Sequence, residues 1–209
     1  MIELTNLYLF IGATFLLCLA PGPDNIYVMT QGISRSKQAA FITTLGLCSG
    51  VVIHTVAAAF GLSVIFKTSE LAFNIVKFAG AFYLMYLAYM AYKHRNDPLK
   101  FGEKIEKKGM KSLYVKGFVM NLLNPKVSIF FLAFLPQFIT VGNGNVPLQM
   151  ITLGVVFMII TAIVFTSMGV LANKLGEKIV SKPSISKYLN IITSTVLFSL
   201  GLKLAFSQR

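Results

Sequence analysis

From residue 127 to residue 173 the chain carries no charged side chain. A helix crossing the hydrocarbon of a bilayer needs about 20 mostly apolar residues. The uncharged stretch is too long for one such helix and must turn. Gly142-Asn143-Gly144-Asn145-Val146-Pro147 supplies the turn. The same reading along all 209 residues gives six spans: 5–29, 39–66, 70–92, 116–139, 146–171 and 188–206. Hydrophobic residues make up 56% of the chain and charged residues only 12%, about half the charge of a soluble domain. Lipid is the solvent for most of this protein, and the expected fold is an all-α polytopic membrane protein. No segment is left for a soluble domain. The apolar run that opens the chain has no basic residues before it, so it is read as the first span and not as a signal peptide.

The net charge of +12 would suit nucleic acid, but its distribution does not. The basic residues sit in the gaps between apolar runs. Arg35 and Lys37 lie between spans one and two, eight lysines and arginines between Lys93 and Lys116, and four between Lys174 and Lys187. The opposite gaps and ends hold Lys67, Lys203 and Arg209, with Lys77 and Lys126 inside spans. The positive-inside rule puts the connections after spans one, three and five in the cytoplasm and both termini outside. The basic loop after span three is expected to lie on anionic lipid headgroups. Three spans on each side of that loop have opposite topology. The domain organisation is thus a single transporter unit: repeat one over about 1–92, a cytoplasmic linker over 93–115, and repeat two over about 116–209.

Prolines break the first and fourth spans at matching places. The first break is Pro21-Gly22-Pro23-Asp24 and the second Asn124-Pro125-Lys126; aligning Pro23 with Pro125 sets Asp24 opposite Lys126. Proline deletes a helical hydrogen bond, and in lipid the freed carbonyl needs another partner. Asn124-Pro125 reads as an N-cap and first helical position. Each break then presents a half-helix N-terminus in the membrane, a place for an anion. Paired interrupted spans in corresponding positions point to a transporter's binding site.

Asp24 suits the dipole at a helix start, so it is either a simple cap or a functional acid. Lys126 does not suit it, which leaves three readings: pairing with Asp24, holding an anionic group of the substrate, or snorkelling to a surface. A zwitterion answers the layout, with Lys126 and backbone amides on its carboxylate and Asp24 on its ammonium. Asp24 is also the candidate to take up a proton when substrate leaves. Asn25 and Asn121 lie near the breaks and line a cavity or bond between helices. His54 follows Gly46 and Gly50 on one face of span two; it is either a packed residue or a proton handler. Lys77 is expected to snorkel, and Tyr83, Tyr86 and Tyr89 to pack, with Tyr92 in an interfacial belt.

These residues resemble the lysine exporter and threonine–homoserine efflux (LysE/RhtB) family of bacterial amino-acid exporters, over nearly the whole chain. The resemblance rests on Pro21-Gly22-Pro23-Asp24, Gln31-Gly32-Ile33-Ser34-Arg35-Ser36, Gly46, Gly50, Lys77, Gly80, Tyr83, Leu84, Lys116-Gly117-Phe118, Asn121 and Asn124-Pro125-Lys126, in that order. It implies proton-gradient-driven efflux, by antiport, of amino acids or related small metabolites across the cytoplasmic membrane. The acidic first motif and the Ser-Arg-Ser run look most like the threonine/homoserine branch, which favours a neutral substrate. The expected substrate-binding set is Pro21, Gly22, Pro23, Asp24, Asn25, Asn121, Asn124, Pro125 and Lys126, with Asp24 and His54 coupling protons. Substrate, protons and lipid are the expected partners; no cofactor, metal or nucleic acid is, and a homodimer stays open.

Other functions fit less well. An intramembrane thiol carrier needs paired cysteines across the repeats, yet Cys18 maps to Met120. An aspartyl hydrolase needs two acids sharing a proton, and a zinc hydrolase clustered ligands; the spans hold Asp24, with Glu70 only at a span edge, and the two histidines are His54 and His94. A passive channel for small solutes calls for a continuous polar stripe. No phosphate-binding Gly-x-x-x-x-Gly-Lys-Ser/Thr loop is present. The chain is therefore not expected to be an enzyme.

Overall fold

The computed structural model describes residues 2–62, 70–97, 109–140, 145–176 and 182–206. The turn at Gly142–Gly144, most of the basic linker, Lys67, Lys178 and Arg209 lie outside the described residues. All regular structure described is helical. The first span is two helices, α1 (Leu4–Leu19) and α2 (Pro23–Ser34), bent by 58°. α3 (Lys37–Ala57) is capped by Ser36, whose hydroxyl accepts from the Ala39 amide (3.1 Å), and continues into a π-helical turn, Ala58–Leu62. α4 spans Glu70–Lys93. The fourth span is again two helices, α5 (Met110–Leu122) and α6 (Pro125–Ile129), bent by 48°. α6 runs on through a π-helical turn at Phe130–Phe134 and a 3₁₀ turn at Leu135–Phe138. α7 (Val146–Leu175) and α8 (Pro183–Phe206) complete the bundle. Four helices are long and apolar enough to cross a membrane, and six spans result when each bent pair counts as one.

The sequence spans are recovered with shifted edges. The fourth begins at Met110 and the sixth at Pro183, in each case several residues earlier than hydropathy alone places it. Lysines in those first turns lower the hydropathy without opposing the helix. Large apolar residues face outward all round the bundle: Phe82 is 74% exposed and Ile163 62%. In water such a surface would drive association; in lipid it is the solvated face. Tyr86 and Tyr89 belong to that face and not to the packed interior expected of them, because their turns of α4 look away from α8.

α3 packs on α5 and α7, α1 and α2 lie along α7, and α4 pairs with α8. Exchanging the first three spans for the last three maps this pairing onto itself. Small residues make the central crossing tight. Gly46 sits under the Tyr114 carbonyl and Gly117 under the Thr43 carbonyl, so a Cβ at either would strike backbone. Three hydroxyls inside the bundle are satisfied on their own helix: Thr43, Thr44 and Thr55 each donate to the carbonyl four residues back. The interior on one side of the breaks is aromatic. Phe10, Phe130, Phe131, Phe134, Phe138 and Phe157 are all at most 2% exposed and stack at centroid distances of 5.0–6.3 Å. This layer lies toward the end of the bundle where α1 begins and α6 ends.

Candidate functional site

The two breaks meet in the middle of the bundle, and proline chemistry explains how. Pro21 has no N–H for the carbonyl of Leu17, four residues back. That carbonyl instead accepts from the Lys126 ammonium (3.1 Å), which also donates to the Ala20 carbonyl (3.0 Å). Pro125 likewise has no N–H for the Asn121 carbonyl. That oxygen accepts from Nε2 of His54 (3.1 Å) and from the Asn124 amide (3.0 Å). Because the acceptor is a carbonyl, Nε2 of His54 carries the hydrogen. The carbonyls orphaned by Pro21 and Pro125 are therefore each met by a side chain from the opposite half of the chain.

This resolves why Lys126 tolerates the first turn of its own helix. Its ammonium lies at the C-terminal end of α1, where the dipole is negative and carbonyls lack partners. It forms no direct ion pair with Asp24 and does not snorkel; two of its three N–H donors are taken by carbonyls.

The asparagines divide the remaining work. Asn25 is fully engaged by the first break: Nδ2 donates to the carbonyls of Cys18 (3.1 Å) and Ala20 (2.8 Å), and Oδ1 accepts from the amides of Gly22 (2.7 Å) and Ile26 (3.0 Å). Asn124 caps α6, its Oδ1 accepting from the Lys126 amide at 3.0 Å. Asn121 reaches across the halves and donates Nδ2 to Oδ2 of Asp24 (3.0 Å). Gly22 lets the ammonium approach, since a Cβ there would stand 3.3 Å from Nζ of Lys126. Pro21, Pro23 and Pro125 shape the bends and contribute no polar atom to the cavity.

Asp24 is 4% exposed. Its neighbours are Asn121, Asn124, Lys126 and His54, all from other helices. One carboxylate oxygen, Oδ1, completes no hydrogen bond, and neither do Oδ1 of Asn121 and Nδ2 of Asn124. An unpaired buried polar atom costs about 1–3 kcal/mol; Thr14 and Gln31 leave such atoms elsewhere in the bundle, and Asn124 stands close enough to Asp24 to act on its carboxylate. Asp24 and Asn121 border a cavity of about 10 Å³, whose polar wall they form with Lys126 and Thr161. Its apolar wall includes Leu17, Val127, Phe157 and Phe165. That volume is about what one water molecule requires. The bundle is closed around the site, with the aromatic layer on one side and Cys18, Val28, Leu47, Val164 and Phe165 packed on the other.

The sequence had pointed to Asp24, Asn121 and Lys126, and the fold brings all three to one cavity. His54 joins them through the Asn121 carbonyl, with its ring 5.8 Å from that of Phe131. The face shared by Gly46, Gly50 and His54 is real: Gly50 packs on the Asn121 side chain. Thr161 and Cys18, whose hydroxyl and thiol lie 3.5 Å apart, went unrecognised as wall residues. The signal for Thr161 was a hydroxyl near the middle of an uncharged span. Cys18 and Cys48 are both buried free thiols.

Fold and site together define a multi-pass membrane protein that encloses a polar site where two broken spans cross. The LysE type translocator family matches residues 15–208. The chain belongs to that family, whose members are transporters and not enzymes. It is 31% identical over 193 residues to the homoserine/homoserine lactone efflux protein of Salmonella typhimurium, covering 92% of both chains. It is also 31% identical to an uncharacterized membrane protein of Vibrio cholerae over 91% of each chain. A third relative, the uncharacterized membrane protein YrhP of Bacillus subtilis, is 27% identical over 97% of this chain and 99% of its own. No solved structure matches the chain.

Proposed function

We propose that this translocator exports a small neutral amino acid of the threonine or homoserine type from the cytoplasm, in exchange for protons. The observation that carries the reading is the open Oδ1 of the buried Asp24, facing the same cavity as the Lys126 ammonium. A zwitterion needs one acceptor for its ammonium and one cation for its carboxylate, and these two supply them. Asn121 holds Oδ2 of Asp24 in place, which aims Oδ1 at the ligand. The third N–H of Lys126 and the amides at the start of α6 receive the carboxylate. A second positive charge on the substrate would find no acid in the cavity, which disfavours cationic side chains. The efflux name carried by the Salmonella relative agrees with this substrate class.

Loading requires the site to open, because the closed cavity is smaller than any amino acid. When substrate leaves, Asp24 is left as an uncompensated buried acid, and taking up a proton removes that cost. His54, bonded to the Asn121 carbonyl, is the second candidate to handle the proton. The two repeats, 1–92 and 116–209, rock against each other about this site, with the basic connections in the cytoplasm of a bacterial cell.

The test is uptake into inverted membrane vesicles from cells expressing the chain, across a panel of amino acids, with and without a proton gradient. Saturable accumulation of threonine or homoserine that collapses with the gradient is expected. Asp24→Asn should reduce it to the level of vesicles lacking the protein. Gradient-independent flux, or full coupled transport by Asp24→Asn, would overturn the mechanism.

A further inference from the structure

A second feature of the molecule has no part in the transport site. Along the start of α5 runs an open groove of about 860 Å³. Lys111 and Ser112 line it in the first turn of α5, Val115 and Lys116 in the second, and Val119 and Met120 beyond them. The opposite face of α5, with Leu113, Gly117 and Asn121, is buried against α3. Among the described residues nothing comparable covers the groove face: Val115 is 47% exposed and Val119 42%. From Lys111 to Met120 the helix rises about 14 Å.

The polarity of this groove is that of one kind of molecule. Lys111 and Ser112 lie where α5 begins, Lys116 adds a second ammonium one turn on beside Val115, and Val119 and Met120 continue the face as hydrocarbon. The Lys116 ammonium lies 4.5 Å from the Tyr27 ring centroid, which holds it between α2 and α5 at the groove's edge. The first turn of α5 has no side-chain cap, so its amides add donors at the same end. An anionic headgroup satisfies that end, and an acyl chain lies over Val115 and Val119 toward Met120. A soluble anion would leave the apolar floor uncovered, and a neutral lipid would leave the lysines unmatched.

We infer that the α5 groove binds one anionic phospholipid, with its phosphate at Lys111 and Lys116 and an acyl chain along Val115, Val119 and Met120. Met120 packs in turn against the apolar cluster of Cys18, Val28 and Phe165 that walls the central cavity. The lipid thus lies against the seam between the two broken spans.

Native mass spectrometry of the full chain, released from nanodiscs of equal phosphatidylglycerol and phosphatidylcholine, tests this. The wild-type chain should retain one phosphatidylglycerol. Lys111→Gln with Lys116→Gln should weaken retention about thirtyfold, at roughly one surface charge's attraction each. Lys174→Gln with Lys187→Gln removes the same charge elsewhere and should leave retention unchanged. Val119→Trp fills the acyl track with both lysines intact and should also release the lipid. Three results would each overturn the assignment: equal retention by the Lys111/Lys116 variant, equal loss in the Lys174/Lys187 variant, or displacement by millimolar inorganic phosphate with Val119→Trp silent. The last would mean a plain anion site.

Discussion

The two breaks solve one chemical problem in different ways. At the first, three consecutive residues, Pro21-Gly22-Pro23, interrupt the chain, and the carbonyls of Leu17, Cys18 and Ala20 all take side-chain partners. Two of those carbonyls, Leu17 and Ala20, depend on Lys126 from the other half. At the second, a single proline interrupts the chain, Asn124 caps the new helix, and Asn124's own amide closes on the Asn121 carbonyl. His54 adds only one bond there. The second break is largely self-sufficient and the first is held from outside. The larger bend, 58° against 48°, lies where the external support is. The first break therefore depends on Lys126 of the other half for its Leu17 contact and shares that support at Ala20.

Removing Lys126 tests this difference most severely. Lys126→Met keeps the length and apolar stem but strips both carbonyl contacts and the cation nearest Asp24. Bonds from a charged donor contribute about 1.5–3 kcal/mol each, and the Ala20 carbonyl retains Asn25 as a partner. A loss of about 3 kcal/mol is expected in detergent unfolding, with transport abolished. If Lys126→Met unfolds like the parent, the first break does not rely on the second half and the asymmetry is wrong.

The paired asparagines give the next largest effect. Asn25→Ala removes four hydrogen bonds at the first break, while Asn124→Ala removes one cap at the second. Interhelical hydrogen bonds in membranes average about 0.6 kcal/mol, and an N-cap contributes about 1 kcal/mol. Asn25→Ala should therefore cost about 2 kcal/mol and Asn124→Ala about half of that. Equal losses from parallel unfolding curves would erase the contrast between the breaks.

Much of this was legible in the residues alone. Uncharged runs of span length gave the spans, and Pro21, Pro23 and Pro125 gave the bends, because proline acts on its own backbone. Asp24, Asn121 and Lys126 stood out because a polar group in lipid is costly wherever it points. What Lys126 binds was not legible. Its partners are backbone carbonyls more than a hundred positions away, and a carbonyl has no letter in the sequence. The partners of Asn25 were hidden for a related reason: its four bonds go to a turn that only the backbone path defines. Thr161 stayed hidden because a single hydroxyl in an apolar helix is commonly satisfied by its own helix, as Thr43 and Thr55 are here.

The smallest structural effect is the sharpest mechanistic one. His54→Gln keeps an N–H donor of similar reach for the Asn121 carbonyl but removes the titrating ring. The lost bond is replaced, so unfolding should shift by under about 0.5 kcal/mol. Asn121 still presents its amide to Asp24, so substrate affinity should hold. If His54 handles the proton, the variant's proton-coupled exchange rate should fall. If the ring merely caps the carbonyl, the rate should match the parent. The same variant thus separates a cross-half support from a proton path: an unchanged rate would leave Asp24 to exchange its proton without the imidazole, and His54 would be to the second break what Lys126 is to the first, a hand on an orphaned carbonyl.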